Sequence, residues 1–335
     1  MRSKLGIMAM VGIAAISLTA CSSGGGGGEG GTEETVFKVA FNQNIDHPQA
    51  QALLEMSDQL SEQTDGRYRL ELFTDETLGD QASTIEQVQS GTIAFSVVAG
   101  SLLENFETDF SVVNLPYLYT SPEQQMGVLN DEDIMGDLYD SLEDDSIQVV
   151  TAYHGGVRNL YTRDAPVTEP ADLDGLKIRV IGSETNVQMM SLMGGVGTPM
   201  AQGEVYTAIQ SGVLDGAENN QLIYSSLSHD EIAPYYSLTN HLMMPDYLIV
   251  NPTIWGEISA DDQAIFEQLF AESAELELEL FSAAVEEAIA ASEETGAKVN
   301  DVDLDAFRDA VLPLHEEFVT TDRQQAVYDA IMAAA

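Results

Sequence analysis

The chain has 335 residues, 56 of them acidic and 12 basic, for a formal net charge of −44. That balance excludes nucleic acid as a partner, because phosphate binding needs clustered Lys and Arg. A hydrophobic content of 44% excludes a disordered chain, and the single cysteine, Cys21, excludes an internal disulfide.

The first element is a leader. Arg2 and Lys4 precede an apolar run from Leu5 to Leu18, too short for a bilayer span of roughly 20 residues and laid out as a secretory signal. It ends in Leu18-Thr19-Ala20-Cys21, the pattern of a lipobox whose cysteine takes a lipid. Residues 1–21 are therefore read as a lipoprotein signal peptide with attachment at Cys21. Residues 22–35, rich in Gly and Ser, are read as a flexible tether to the membrane.

Val36–Phe41 alternates as a strand, and Gln49–Thr64 carries Leu53, Leu54, Met56 and Leu60 at helical spacing. Tyr68–Phe73 alternates again, a helix follows from about Ala82 to Ser90, and Ile93–Val98 suits a buried strand. This β-α-β-α-β rhythm predicts a parallel sheet with helices on its faces. The second half repeats it: a strand over Ile147–Tyr153, a strand over Lys177–Ile181, helices over Ser183–Met193 and Val205–Ser211, and a short strand over Val213–Ala217. Gly194-Gly195-Val196-Gly197 reads as a turn, and Leu238–Val250 as two strands around Pro245. From Ser259 to Thr295 there is no Pro or Gly. A helix of that length reaches about 54 Å at 1.5 Å per residue, longer than one domain is wide, so it should cross between two domains.

Four of the ten basic residues beyond Cys21 fall between positions 158 and 179: Arg158, Arg163, Lys177 and Arg179. In so acidic a chain, such a cluster points either to a bound anion or to internal ion pairs. Arg suits a carboxylate through its planar fork. Arg163, beside Asp164, and Lys177, alternating away from Ile178, are assigned to internal pairs. The histidines form no HExxH pair, and neither a Gly-x-Ser-x-Gly nor a GxxxxGK pattern occurs. No metal, cofactor or catalytic residue is expected, and the chain is not read as an enzyme. The net charge fits a saline habitat, where at about 1 M salt the Debye length falls to roughly 3 Å and self-repulsion is screened.

Two stretches carry a family resemblance. Leu173-Asp174-Gly175-Leu176-Lys177-Ile178-Arg179-Val180 resembles the strand, and Gly203 through Asn220 (GEVYTAIQSGVLDGAENN) the "EVYTALQTGVVDGAEN" block, of DctP-type solute-binding subunits of TRAP transporters, the tripartite ATP-independent periplasmic carriers. Leu78-Gly79, Leu115-Pro116, Gly156-Val157-Arg158 and Thr239-Asn240-His241 follow in the family's order. The resemblance runs from Val36 almost to the C-terminus.

It implies an α/β, two-domain periplasmic-binding-protein-like fold with a hinge and a long domain-spanning helix. Domain I is expected at 36–155 plus 245–283, and domain II at 156–244 plus 284–335. It implies that Arg179 pairs with the solute carboxylate, that Arg158 adds a cationic contact, and that Asn219 bonds the same end. Positions matching Asn42, Gln81 and His241 approach the solute in relatives, and His47 is added from its place after the first strand. The partners implied are a small organic acid and TRAP permease subunits, with the protein held outside the cytoplasm by its lipid. Gln81 and Ala99 stand where sialic-acid binders carry acids, and Asn219-Asn220 resembles a uronate-binding subgroup. A C4-dicarboxylate or a 2-oxo acid stays open as the solute. A binding protein serving a sensor, or an extracellular enzyme acting on acidic sugars, are the rival classes.

Overall fold

Nine short apolar or alternating segments form one mixed sheet in the computed structural model, which describes residues 34–335. The leader with Cys21, and the tether as far as residue 33, lie outside the described residues. The strands are β1 (Thr35–Ala40), β2 (Tyr68–Phe73), β3 (Phe95–Ala99), β4 (Gln148–Thr162), β5 (Lys177–Val180), β6 (Val196–Pro199), β7 (Gly216–Asn219), β8 (Tyr235–Val250) and β9 (Lys298–Asn300). They lie in the order β2-β1-β3-β8-β4-β7-β5-β6, with β9 beside β8. β1 runs parallel to β2 and β3, and β5 parallel to β6 and β7, as the β-α-β rhythm requires. The two parallel groups are joined through the antiparallel pair β4 and β8.

Four readings of the sequence are corrected here. The segment around Pro245 is one 16-residue strand rather than two. Pairing with β3 ends at Asp246, and the β4 ladder is bulged between His154 and Val157, next to Pro245's partner His154. A residue lacking an N–H is tolerated at such a break. The strand expected at Val213–Ala217 starts at Gly216, because Gly212 turns with φ +76° and Val213 points outward at 57% exposure. Of the turn read at Gly194–Gly197, only the beginning is a turn; Val196 and Gly197 open β6. β4 also runs to Thr162, well past the expected Tyr153.

The long helix spans Ala260–Thr295, 36 residues. Ser259 caps it by accepting the Asp262 N–H at 3.2 Å, and Gly296 ends it in the left-handed region at φ +105°. Its face packs on helix Pro48–Gln63, on β4 and on helix Gln221–Ser226, so it touches both parallel groups. No helix among the described residues is long and apolar enough to cross a membrane.

Candidate functional site

The carboxyl ends of β1, β3, β5 and β7 open on one cleft, the place where open α/β sheets bind ligands. Its cavity of about 360 Å³ is lined by residues of both parallel groups, within the range of small-molecule sites. Asn42 follows β1. His47 is the N-cap of helix Pro48–Gln63, and Gln81 is the first residue of helix Gln81–Gln89. Arg158 comes from β4, Arg179 from β5 and Asn219 from the end of β7. These six residues line the cavity together. His241 does not. It is fully buried behind the wall, with Nδ1 on Thr239 Oγ1 at 2.8 Å and Nε2 3.4 Å from Glu218 Oε2.

The two arginines, each 3% exposed, are in opposite states. Arg158 donates from Nε to Glu218 Oε2 at 2.5 Å and from Nη2 to Glu218 Oε1 and its carbonyl at 2.8 Å each. Nη1 donates to Asn219 Oδ1 at 3.0 Å. One N–H of five remains. Burial works against charge on Glu218, but Arg158 and His241 hold its carboxyl down to about 2. Arg179 has no carboxylate partner among the described residues. Its Nε donates to the Met200 carbonyl at 2.8 Å and Nη1 to Gln202 Oε1 at 3.3 Å, so three N–H groups stay free. Burial, then the neighbouring Arg158, lowers its pKa to about 10, which keeps it cationic at neutral pH. Arg163 pairs with Asp164 at 2.7 Å, as expected, whereas Lys177 makes no ion pair among the described residues and is exposed on β5.

The polar wall is also ordered. Asn219 Nδ2 donates to Gln202 Oε1 at 3.2 Å, which ties Gln202 to both Asn219 and Arg179. Asn220 caps helix Gln221–Ser226 through Oδ1 and donates Nδ2 to the Gly155 carbonyl at 2.8 Å. That contact needs Gly156: its φ is +84°, and a Cβ there would stand 2.6 Å from the Asn220 Cβ. His47 lies edge-on between Phe41 and Phe281, and burial lowers its pKa to about 3. Its Nδ1 accepts the Gln49 N–H at 3.3 Å, so the ring is neutral and carries its proton on Nε2. Gln81 Oε1 accepts the Ala99 N–H at 3.4 Å, leaving its amide nitrogen as a donor.

Glu218, Gln202, Glu76 and Asp246 are site residues that sequence reasoning left unassigned. Glu218 sits inside the GAEN stretch already singled out, and its place before Asn219 was the available signal. Among the described residues no group of three or more His, Cys, Asp or Glu is arranged to hold a metal ion.

Two α/β halves, a shared cleft and one unpaired buried guanidinium define a two-domain periplasmic-binding-protein fold. The chain belongs to the DctP family, described as bacterial extracellular solute-binding protein, family 7, which it matches over residues 40–322. A solute-binding protein of Chromohalobacter salexigens is 34% identical over 275 residues, covering 82% of this chain and 81% of that one. Two crystal structures of TRAP periplasmic solute-binding proteins are similar. One, from Anaerococcus prevotii with bound α/β-D-glucuronate, is 35% identical with a TM-score of 0.87, covering 90% of this chain and 98% of that chain. The other, from Bradyrhizobium with α/β-D-galacturonate, is 30% identical with a TM-score of 0.86, covering 89% and 100%.

Proposed function

We propose that this chain captures a uronate in the cleft and delivers it to a TRAP permease. The observation that carries the reading is Arg179: a buried cation lining the cavity, with no carboxylate partner and three N–H groups without an acceptor among the described residues. Burying such a charge without a counter-ion is costly, and a monocarboxylate supplies the missing partner through a two-bond fork. Asn219 stands beside that fork. Donors at His47 Nε2 and Gln81 Nε2, with Asn42, read the hydroxyls. His241 acts from behind, by holding Glu218. The uronates bound by the two similar structures support the solute class. The protein binds and releases without chemistry.

Capture is a two-state clamp, with the parts 36–155 plus 245–283 and 156–244 plus 284–335 closing on the solute. The bulge of β4 at His154–Val157, next to Gly155 and Gly156, gives the strand a place to bend. The leader sequence supports an extracytoplasmic protein anchored by lipid on Cys21, and the net charge supports a saline habitat.

Calorimetry with D-glucuronate, D-galacturonate, succinate and pyruvate tests the solute class. The expected result is saturable binding of a uronate and none of succinate. Binding of succinate or pyruvate with no uronate bound would replace this reading with the C4-dicarboxylate or 2-oxo acid alternative.

A further inference from the structure

The cavity wall carries more negative than positive side chains. Among the described residues its basic side chains are Arg158 and Arg179, whereas Glu76, Asp80 and Asp246 supply carboxyl groups. Burial raises the pKa of Glu76 and Asp246, and the Gln49 hydrogen bond and Arg158 pull that of Asp246 back down. Arg158 is neutralised in place by Glu218. One cation therefore remains for a solute, and three protein carboxylates face whatever else the solute carries.

Asp246 is the best placed of the three. It lies on β8, paired with Ala99 on one side and Tyr153 on the other, in the middle of the sheet. Arg179 lies on β5, three strands away in the sheet order, so the two groups meet different parts of a bound solute. Asp246 Oδ2 accepts from Gln49 Nε2 at 2.8 Å. Gln49 is itself buried, and the same nitrogen also donates to the His154 carbonyl at 3.4 Å. Oδ1 receives no protein donor among the described residues. Gly155 leaves room for this side chain, since a Cβ there would stand 3.0 Å from Oδ2. The result is a fixed carboxyl group with one acceptor oxygen left over, in the cleft proposed to take an anion.

The geometry points to Asp246 as the residue that restricts this cleft to sugar acids with a single carboxylate: its free oxygen accepts a solute hydroxyl and repels a second carboxylate. This rests on the uronate reading and deepens it. A hydroxyl donates to Oδ1 and satisfies it, while a carboxylate has no proton to donate and places two like charges together in a partly desolvated cleft. Selectivity then comes from a repulsive element as well as the attractive one at Arg179. The solutes excluded are aldarates, which carry carboxylates at both ends of the same carbon chain.

The test compares D-galacturonate with galactarate by calorimetry on wild type and on Asp246→Asn. The substitution keeps the acceptor for Gln49 and turns the free oxygen into an amide donor. Wild type should bind galactarate at least 100-fold more weakly than galacturonate. In Asp246→Asn, galacturonate should weaken about fivefold or more, and the affinity ratio should move at least tenfold toward galactarate. The difference between ring and open chain is common to both proteins and cancels in that shift. Should Asp246→Asn fail to fold by circular dichroism, Asp246→Ser carries the same ratio test, and the wild-type comparison stands alone if both fail. Wild type binding both solutes equally, or a ratio unmoved in the variant, overturns the role of Asp246 and leaves the uronate reading intact. Wild type binding neither these two solutes nor D-glucuronate removes both.

Discussion

Arg158 and Glu218 face each other as a buried two-bond fork, Nε to Oε2 at 2.5 Å and Nη2 to Oε1 at 2.8 Å. The pair joins adjacent strands β4 and β7. Its effect on the cleft is to cancel one of the two cations and leave Arg179 as the anchor. The pair also fixes Asn219, whose Oδ1 accepts from Arg158 Nη1 at 3.0 Å.

Glu218→Gln should destabilise the fold by about 3–5 kcal/mol at pH 7, the cost of leaving a buried charge without its partner. The Glu218 carboxyl sits at about 2 in the fold and about 4.3 in an unfolded chain. A depressed carboxylate contributes stability that is present above the unfolded value and lost as pH falls through the folded one. Urea midpoints of wild type and variant should therefore differ fully at pH 7 and 5 and converge between about pH 4 and 2. A gap that stays constant down to the lowest pH would show that the ion pair is not its source.

Arg179→Lys keeps the charge and removes the fork. Uronate binding should weaken by about 1.5–3 kcal/mol, the range for a hydrogen bond to a charged group, while the thermal midpoint without solute stays close to wild type. Calorimetry that returns an unchanged affinity removes the carboxylate anchor from this account.

Ionic strength separates the long-range field from the site. The chain carries a formal −44 and is proposed to bind an anion, so at low salt the overall field opposes the encounter. Raising NaCl from about 0.01 M to about 1 M shortens the Debye length from roughly 30 Å to 3 Å, while buried pairs are screened much less. Stopped-flow association with D-glucuronate should speed up across that series, and the denaturant midpoint should rise as self-repulsion falls. A rate that drops steadily with salt would mean that the cationic cleft draws the anion in against the net charge of the chain.

Cys21→Ser should release the protein from membranes or leave its leader uncleaved, with solute affinity unchanged. Fractionation after a high-salt wash reads the outcome directly. A substituted protein that stays with the membrane pellet contradicts lipid attachment at Cys21.

The elements that read correctly from sequence are those with a strong local signature. Ser259 and Gly296 bracket the long helix, and the alternation of Val36–Phe41 marks β1. Arg158 and Arg179 stood out because basic residues are scarce. The same arithmetic hid Glu218 and Asp246: among 56 acidic residues, nothing local distinguishes a buried carboxylate from a solvated one. The helices between Gly100 and Asp140 were not read either. Their apolar residues are buried against the C-terminal helix Asp322–Ala333 and its neighbours, far away along the chain. The single strand through Pro245 depended on where β3 stops and where β4 bulges, neither of which is written in the segment itself.

β4 and β8 each extend from one parallel group into the other, 15 and 16 residues long. Neither half of the cleft is therefore encoded by a contiguous stretch of gene. A fragment ending near Gly155 would lack β8 and expose the inner edge of β3, an unpaired row of backbone groups prone to aggregation. Recombination cannot exchange one half for that of a relative without cutting both central strands. A change of solute that leaves the sheet whole must therefore come from substitutions of side chains within the cleft.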